Sequence, residues 1–131
     1  QQSLGLEVIL ESEPEDLNLP HPIERVVYYA LREGLTNVTK HSHASRVEIQ
    51  ITQRPDLLQA SLKDNGVGFE QDSQKNRSRL GLSGMEDRMK KTGGRLTIKS
   101  SPGLGTTVMF SIPLVETRES IEGPRKTLSN N

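Results

Sequence analysis

The sequence predicts an α+β fold, a two-layer sandwich in which a mixed, mostly antiparallel sheet carries helices on one face. Three observations carry that expectation. Five stretches alternate apolar and polar residues with the two-residue period of half-buried strands. Two others repeat apolar residues every three or four positions, as a helix with one buried side does. The turn triplets Arg54-Pro55-Asp56 and Ser101-Pro102-Gly103 each link two strands directly, which antiparallel pairs allow and parallel pairs do not.

Taken in order, Leu4, Leu6, Val8 and Leu10 alternate and mark a first strand over residues 4–10. Glu11 to Pro20 is acidic, contains Pro14 and Pro20, and reads as a loop. A long helix starts near His21, with Pro22 pre-set for its first turn and an apolar stripe of Ile23, Val26, Val27, Ala30, Leu31 and Val38. Val47, Ile49 and Ile51 form a second strand, and Leu58, Ala60 and Leu62 a third. From Glu70 to Leu80 the chain is polar and basic with almost no apolar residues, the composition of a mobile loop. A short helix opens at Gly81 and carries Leu82, Met85 and Met89. Glu86 and Asp87 lie early in it and Lys90 and Lys91 late, the order that the helix dipole favours. Gly93 and Gly94 end it. Leu96 and Ile98 mark a fourth strand, and Thr106, Val108, Phe110 and Ile112 a fifth. Residues 1–115 thus make one domain, and the polar stretch 116–131 is expected to be a disordered tail.

Bulk properties narrow the function classes. Lys plus Arg and Asp plus Glu both number 17, so the formal charge is zero and no nucleic-acid footprint is evident; nucleic acid is not an expected partner. The absence of cysteine excludes disulfides, thiolate metal sites and a cysteine nucleophile, and it suits a reducing, cytoplasmic setting. No apolar run approaches the length of a membrane span, and no signal-peptide pattern is present. The chain opens at Gln1 rather than Met, as a piece cut from a larger protein would.

Chemistry concentrates in four places. Leu58, Ala60, Leu62 and Asp64 share one face of the third strand, so Asp64 points inward with the apolar side chains. A buried carboxylate needs donors. With Gly66 and Gly68 beside it, a flat base could lie close to the backbone and offer its amino group. An Asx-type turn accounts for the same residues equally well. On the long helix, Val26, Ala30, Glu33, Asn37, Lys40 and His41 step along one side and change from apolar to polar. This reads as core giving way to the wall of a polar cavity, or simply as the border of an amphipathic helix. In the first case the Asn37 carbonyl could ligate Mg²⁺, Lys40 and His41 could reach phosphate, and Glu33 could position a water.

Gly81 and Gly84 bracket a helix start whose free N–H groups suit an anion, preceded by the basic Lys75, Arg77 and Arg79. A plain flexible loop with a glycine cap is the alternative. Thr106 faces inward on its strand, as Asp64 does, and either converges with it on a ligand or bonds to backbone. The three histidines lack metal-ligand spacing, and no serine occupies a nucleophile elbow.

These pieces fall in one order: Glu33-x-x-x-Asn37-x-x-Lys40-His41, Asp64-x-Gly66-x-Gly68, Gly81-Leu82-x-Gly84-Met85 and Gly103-x-Gly105-Thr106. From Leu4 to Leu114 the chain closely resembles the ATP-binding catalytic domain of bacterial sensor histidine kinases. That domain belongs to the superfamily that includes gyrase B, Hsp90 and MutL and has the Bergerat, or GHKL ATPase, fold. The tracts from Asn37 to Ser45 and from Gly81 to Arg88 resemble the subgroup paired with NarL/LuxR-type response regulators.

The resemblance implies ATP and Mg²⁺ as cofactors, with Asn37 as the Mg²⁺ ligand and Asp64 as the adenine anchor. It places Gly66 and Gly68 at the purine and Thr106 behind Asp64. Lys40, His41, Gly81, Leu82 and Gly84 would lie near the phosphates. Glu33 and Asn37 are the implied catalytic pair. The implied partners are a helical dimerisation domain bearing the phosphoacceptor histidine and a response regulator, in a full-length homodimer; the chain alone would be monomeric. None of His21, His41 and His43 precedes an acid, so the phosphoacceptor motif is missing and autophosphorylation of this chain alone is not expected. An anti-sigma-factor-type serine kinase and an inactive nucleotide-binding module share the same signature.

Overall fold

The computed structural model describes residues 5–114; the expectation for 116–131, and the place of Leu4, lie outside the described residues. Strands β1 (Glu7–Glu13), β2 (Arg46–Gln53), β3 (Leu57–Asp64), β4 (Arg95–Ser100) and β5 (Thr106–Pro113) form one sheet in the order β1-β2-β3-β5-β4. Helices α1 (His21–Asn37), α2 (Gln74–Arg79) and α3 (Leu82–Lys91) complete the described elements, with a π turn at Val38–Ser42 continuing α1. Among the described strands only β1, against β2, pairs in parallel; β2 with β3, β3 with β5 and β4 with β5 are antiparallel. The mixed, mostly antiparallel sheet expected from the alternation is therefore what forms.

One face of the sheet buries Val47, Ile49, Ile51, Leu58, Ala60, Leu62, Ile98, Val108, Phe110 and Ile112. Against it α1 buries Ile23, Val27, Ala30 and Gly34, and α3 buries Leu82, Met85 and Met89. Each aliphatic side chain so buried contributes about 1.5–3 kcal/mol, which is why the alternation and helical stripes fix the layers. Gly34 is where α1 lies closest to the sheet: a Cβ there would stand 2.9 Å from Leu62 Cδ1. Arg88 of α3 stacks over the Tyr29 ring of α1, 4.0 Å from its centroid, and ties the two helices together.

Two segments differ from expectation. The first strand starts at Glu7, after Leu6, and runs on to Glu13, beyond the expected end at Leu10, because these residues pair with β2 from Arg46 to Thr52. In that register Val8 and Leu10 lie opposite Val47 and Ile49 yet remain 50% and 63% exposed, since the helix layer stops short of the edge strand. The polar stretch 70–80 is not a plain loop, for it folds in part into α2. Ser73 caps that helix by accepting from the Asn76 N–H, Arg77 pairs with Glu86 of α3 at 2.8 Å, and the apolar Leu80 is buried at its end. A single buried leucine and two polar ties give the segment a fold that its average composition conceals.

Candidate functional site

At the C-terminal end of β3 the apolar face ends in a carboxylate. Asp64 is 6% exposed, follows Leu58, Ala60 and Leu62 on the same face, and pairs in register with Thr106 of β5. Its Oδ1 accepts the Gly66 N–H at 2.7 Å, and the Thr106 backbone N–H also donates to the carboxylate. Burial pushes its pKa above the ordinary carboxylate value, and these two donors only partly oppose the rise. No cation pairs with Asp64 among the described residues. It lines a cavity walled by Leu62, Ile98, Val108, Phe69, Leu80 and Leu82, with Asn37, His41, Arg79 and Thr106 as polar groups.

The glycines of this end hold backbone against backbone. A Cβ on Gly66 would overlap the Ser42 carbonyl, one on Gly68 the Ser101 carbonyl, and one on Gly105 the carbonyl of Asp64. The sequence suggests that Gly66 and Gly68 make room for a ligand; the room they make is taken by neighbouring loops, and only Gly68 of the two lines the cavity. The tight packing is secured by Val67, whose N–H donates to Ser42 O at 2.8 Å and whose carbonyl accepts from Gly103 N–H at 2.6 Å. Asn65, which follows Asp64, accepts from the Ser45 and Arg46 N–H groups and donates to Ser45 Oγ, pinning the start of β2 to the end of β3.

The helical wall comes from the last turns of α1. Asn37 and His41 line the cavity, one on each side of Val38, whose side chain is buried. The chain here widens into the π turn, a rare form that recurs at functional sites because it re-aims side chains at little cost in hydrogen bonds. Buried Ser42 closes it by donating to Val38 O at 2.8 Å and accepting from Ala44 N–H. His43 follows in the left-handed region at φ 56 and lets the chain leave for β2. The Asn37 amide nitrogen donates to Leu80 O at 2.9 Å, which leaves its carbonyl oxygen as an acceptor for the cavity.

The lid side is formed by α2 and the start of α3. Arg79 lies 3.0 Å from His41 Nδ1; as guanidinium can only donate, Nδ1 accepts and the imidazole is neutral with its proton on Nε2. Loss of solvent around His41, then Arg79, then Lys40, lowers its pKa. Gly81 is the N-cap residue of α3 at φ +68 with open space beside it, a conformation that only glycine adopts freely, and its carbonyl accepts from Met85 N–H. The first N–H groups of α3 beyond it follow directly on the cavity-lining Leu82.

Of the residues singled out from sequence, Asn37, His41, Asp64, Gly68, Arg79, Leu82 and Thr106 meet around this one cavity, and Lys75 and Arg77 do not line it. Gly66, Gly81 and Gly84 do not line it; Gly66 packs on Ser42, and Gly84 faces the Tyr29 hydroxyl. Lys40 is exposed and half-buried Glu33 is not among the lining residues. Sequence reasoning missed Phe69, Ser100 and Asn65. Ser100 was within reach, for it extends the alternation of Leu96 and Ile98 on β4 and is buried at 8% exposure.

The model of one known family matches residues 23–116, most of the described chain and every site element above. The chain belongs to the histidine kinase-, DNA gyrase B- and HSP90-like ATPase family. It is 37% identical over 95 residues to the signal transduction histidine-protein kinase/phosphatase DegS of Brevibacillus brevis, covering 72% of this chain and 24% of that protein. Against the protein of the same name from Bacillus subtilis (strain 168) it is 35% identical over 105 residues, covering 78% and 27%. The chain thus spans about a quarter of the length of the curated relatives it matches.

The histidine kinase domain of the Erythrobacter litoralis EL346 blue-light activated histidine kinase superimposes with a TM-score of 0.70 at 22% identity, over 92% of this chain and 57% of that one. A longer chain of that kinase gives 0.71 at 21% identity, over 88% and 37%. The sandwich of this ATPase family is therefore the fold of the chain, in agreement with the order of motifs in its sequence. No described helix is long and apolar enough to cross a membrane.

Proposed function

We propose that residues 1–115 are the cytoplasmic, ATP-binding catalytic domain of a two-component sensor kinase, binding Mg·ATP and delivering its γ-phosphoryl to a histidine on a helical dimerisation domain. The observation that carries this reading is Asp64, a buried carboxylate at the floor of an apolar cavity with no cation to balance it among the described residues. An exocyclic amino group of a purine supplies the missing donor, and the apolar walls take the faces of the ring. Membership of the ATPase family and the likeness to relatives named histidine-protein kinase/phosphatase support the same conclusion.

In this reading Asp64 and Thr106 hold the base edge, and the tight loops at Gly66, Gly68 and Gly105 keep both in place. The N–H groups at Leu82 and Gly84, with His41, Arg79 and the exposed Lys40, receive the phosphates; the Gly81 N–H already donates to Ser78 O at 3.1 Å, so Gly81 acts by turning the chain into α3. The donor set suits magnesium: one amide oxygen from Asn37 beside a phosphate path, and no cluster of three or more His, Cys, Asp or Glu among the described residues that would make an all-protein cage. When bound, Mg²⁺ supplies charge neutralisation on the phosphate oxygens. In this reading half-buried Glu33, one turn before Asn37, positions a water or accepts a proton. The acceptor imidazole nitrogen attacks the γ-phosphorus, the bond to the bridging oxygen breaks, and ADP leaves; the protein contributes positioning. The full-length protein acts as a homodimer through its helical domain and passes the phosphoryl group to a response regulator.

Isothermal titration of the 131-residue chain with ADP and a non-hydrolysable ATP analogue, with and without Mg²⁺, tests the binding step. Saturable one-site binding that depends on Mg²⁺ is expected, and no binding by folded protein overturns the reading. In full-length protein the labelled product should be acid-labile and alkali-stable, as phosphohistidine is. An acid-stable product would make it a serine kinase on the same fold, and binding without transfer would make it a nucleotide sensor.

A further inference from the structure

Three hydrogen bonds meet at the Ser100 hydroxyl, and they can coexist in one arrangement only. Ser100 Oγ accepts the Phe69 N–H at 2.9 Å, lies 3.2 Å from the Gly105 carbonyl, and lies 2.7 Å from Thr106 Oγ1. A carbonyl can only accept, so the single Ser100 proton goes to Gly105 O. The short contact with Thr106 then requires Thr106 to donate. Ser100 is thereby fully satisfied, and the Thr106 oxygen is left with lone pairs only toward the cavity it lines.

We infer that Ser100 sets the base preference of the site, by holding the Thr106 hydroxyl as an acceptor that fits a 6-amino purine and rejects a 6-oxo purine. The inference rests on the reading of the cavity as a purine nucleotide site and deepens it. Asp64 by itself does not choose between the two bases. A carboxylate accepts from the 6-amino group of adenine, and it accepts equally well from the N1–H of hypoxanthine. The second group at this edge decides. With Asp64 on the N1 side of the base and Thr106 on the far side of the C6 substituent, the carbonyl of a 6-oxo purine meets lone pairs, whereas the amino group of adenine has its second proton to offer there, directly or through a water. With Ser100 removed, the Thr106 hydroxyl is free to turn and donate to a 6-oxo group.

Ser100 is itself held from the lid stem, since its backbone N–H donates to Gln71 Oε1 at 3.0 Å. It is 8% exposed and sits behind Thr106, so it acts as a positioning residue without touching the base.

The test compares ADP with IDP, which differ only at C6 and N1 of the base, by titration into wild type, Ser100→Ala and Ser100→Thr. Wild type prefers ADP; in Ser100→Ala the ratio of the two affinities falls by about tenfold or more, while Ser100→Thr, which keeps the hydroxyl, retains it. A merely structural role would weaken both nucleotides alike and leave the ratio unchanged. That result, in folded Ser100→Ala, overturns the inference. If Ser100→Ala does not fold, Ser100→Cys carries the same test, because a thiol fills the space but hydrogen-bonds weakly. Failure of wild type to bind either nucleotide is a different outcome, which overturns the purine reading itself.

Discussion

Replacing Asp64 by Asn separates what the residue does for binding from what it does for the fold. The change keeps the shape and keeps an Oδ1 to accept the Gly66 N–H. It removes a charge buried to 6% exposure and puts an amide nitrogen, with two donors, where the cavity offers an acceptor. A hydrogen bond to a charged group contributes about 1.5–3 kcal/mol, so affinity for ADP falls by about tenfold to a hundredfold from that loss alone. The opposed donors add to it. Thermal stability without nucleotide moves the other way, because a charge that lacks a cation no longer has to be desolvated.

The pH dependence gives a second signature. The folded carboxyl holds its proton more tightly than the 3.8 of an unperturbed Asp. Between these two values the folded state binds more protons than the unfolded one, so the contribution of Asp64 to stability falls as pH rises through that window. Asp64→Asn lacks this fall, and its melting temperature gains on wild type as pH is raised above 3.8. Nucleotide affinity of wild type rises over the same window as the carboxylate ionises. Calorimetric titration with ADP and thermal unfolding of both proteins across pH check the pair of effects. Equal ADP affinity in wild type and folded Asp64→Asn would refute the reasoning, as would an apo variant clearly less stable than wild type at neutral pH.

Two further outcomes follow from the geometry. Gly66→Ala puts a Cβ into the Ser42 carbonyl and 2.7 Å from Ser42 Cβ, so it should cost about 1–3 kcal/mol in denaturant unfolding and loosen Asp64; Gly103→Ala, with open space around it but φ +81, should cost only about 1 kcal/mol. Equal costs would show that the loop at Gly66 yields. Asn37→Ala should abolish the Mg²⁺ dependence of nucleotide binding and also free the lid, since Asn37 Nδ2 donates to Leu80 O; titrations with and without Mg²⁺, together with hydrogen exchange of residues 73–80, read both.

Much of this molecule is legible from periodicity. The inward face of β3 runs from Leu58 to Asp64 and that of β5 from Thr106 to Ile112, because in a strand every second side chain points the same way and the register is set by burial. The same rule placed Asp64 and Thr106 on one face, and the helical stripe placed Asn37 beside the buried Val38. Average composition misled at residues 70–80, where Ser73, Arg77 and Leu80 outweigh their polar neighbours. It misled also at β1, whose ending depends on pairing with β2 rather than on its own alternation.

The sequence by itself determined the layers, the inward carboxylate and the order of motifs that marks the ATPase family, because each follows from spacing along the chain or from residue identity. Only the tertiary structure decided how the glycines are used, since close approach of Gly66 to Ser42 and of Gly105 to Asp64 joins segments far apart in sequence or turned back on each other. It alone brought Ser100, Thr106, Gly105 and Phe69 to one hydroxyl, and it alone left Glu33 and Lys40 away from the cavity wall. Local spacing fixes which way a side chain faces, but what it meets is set by chain packing across the fold.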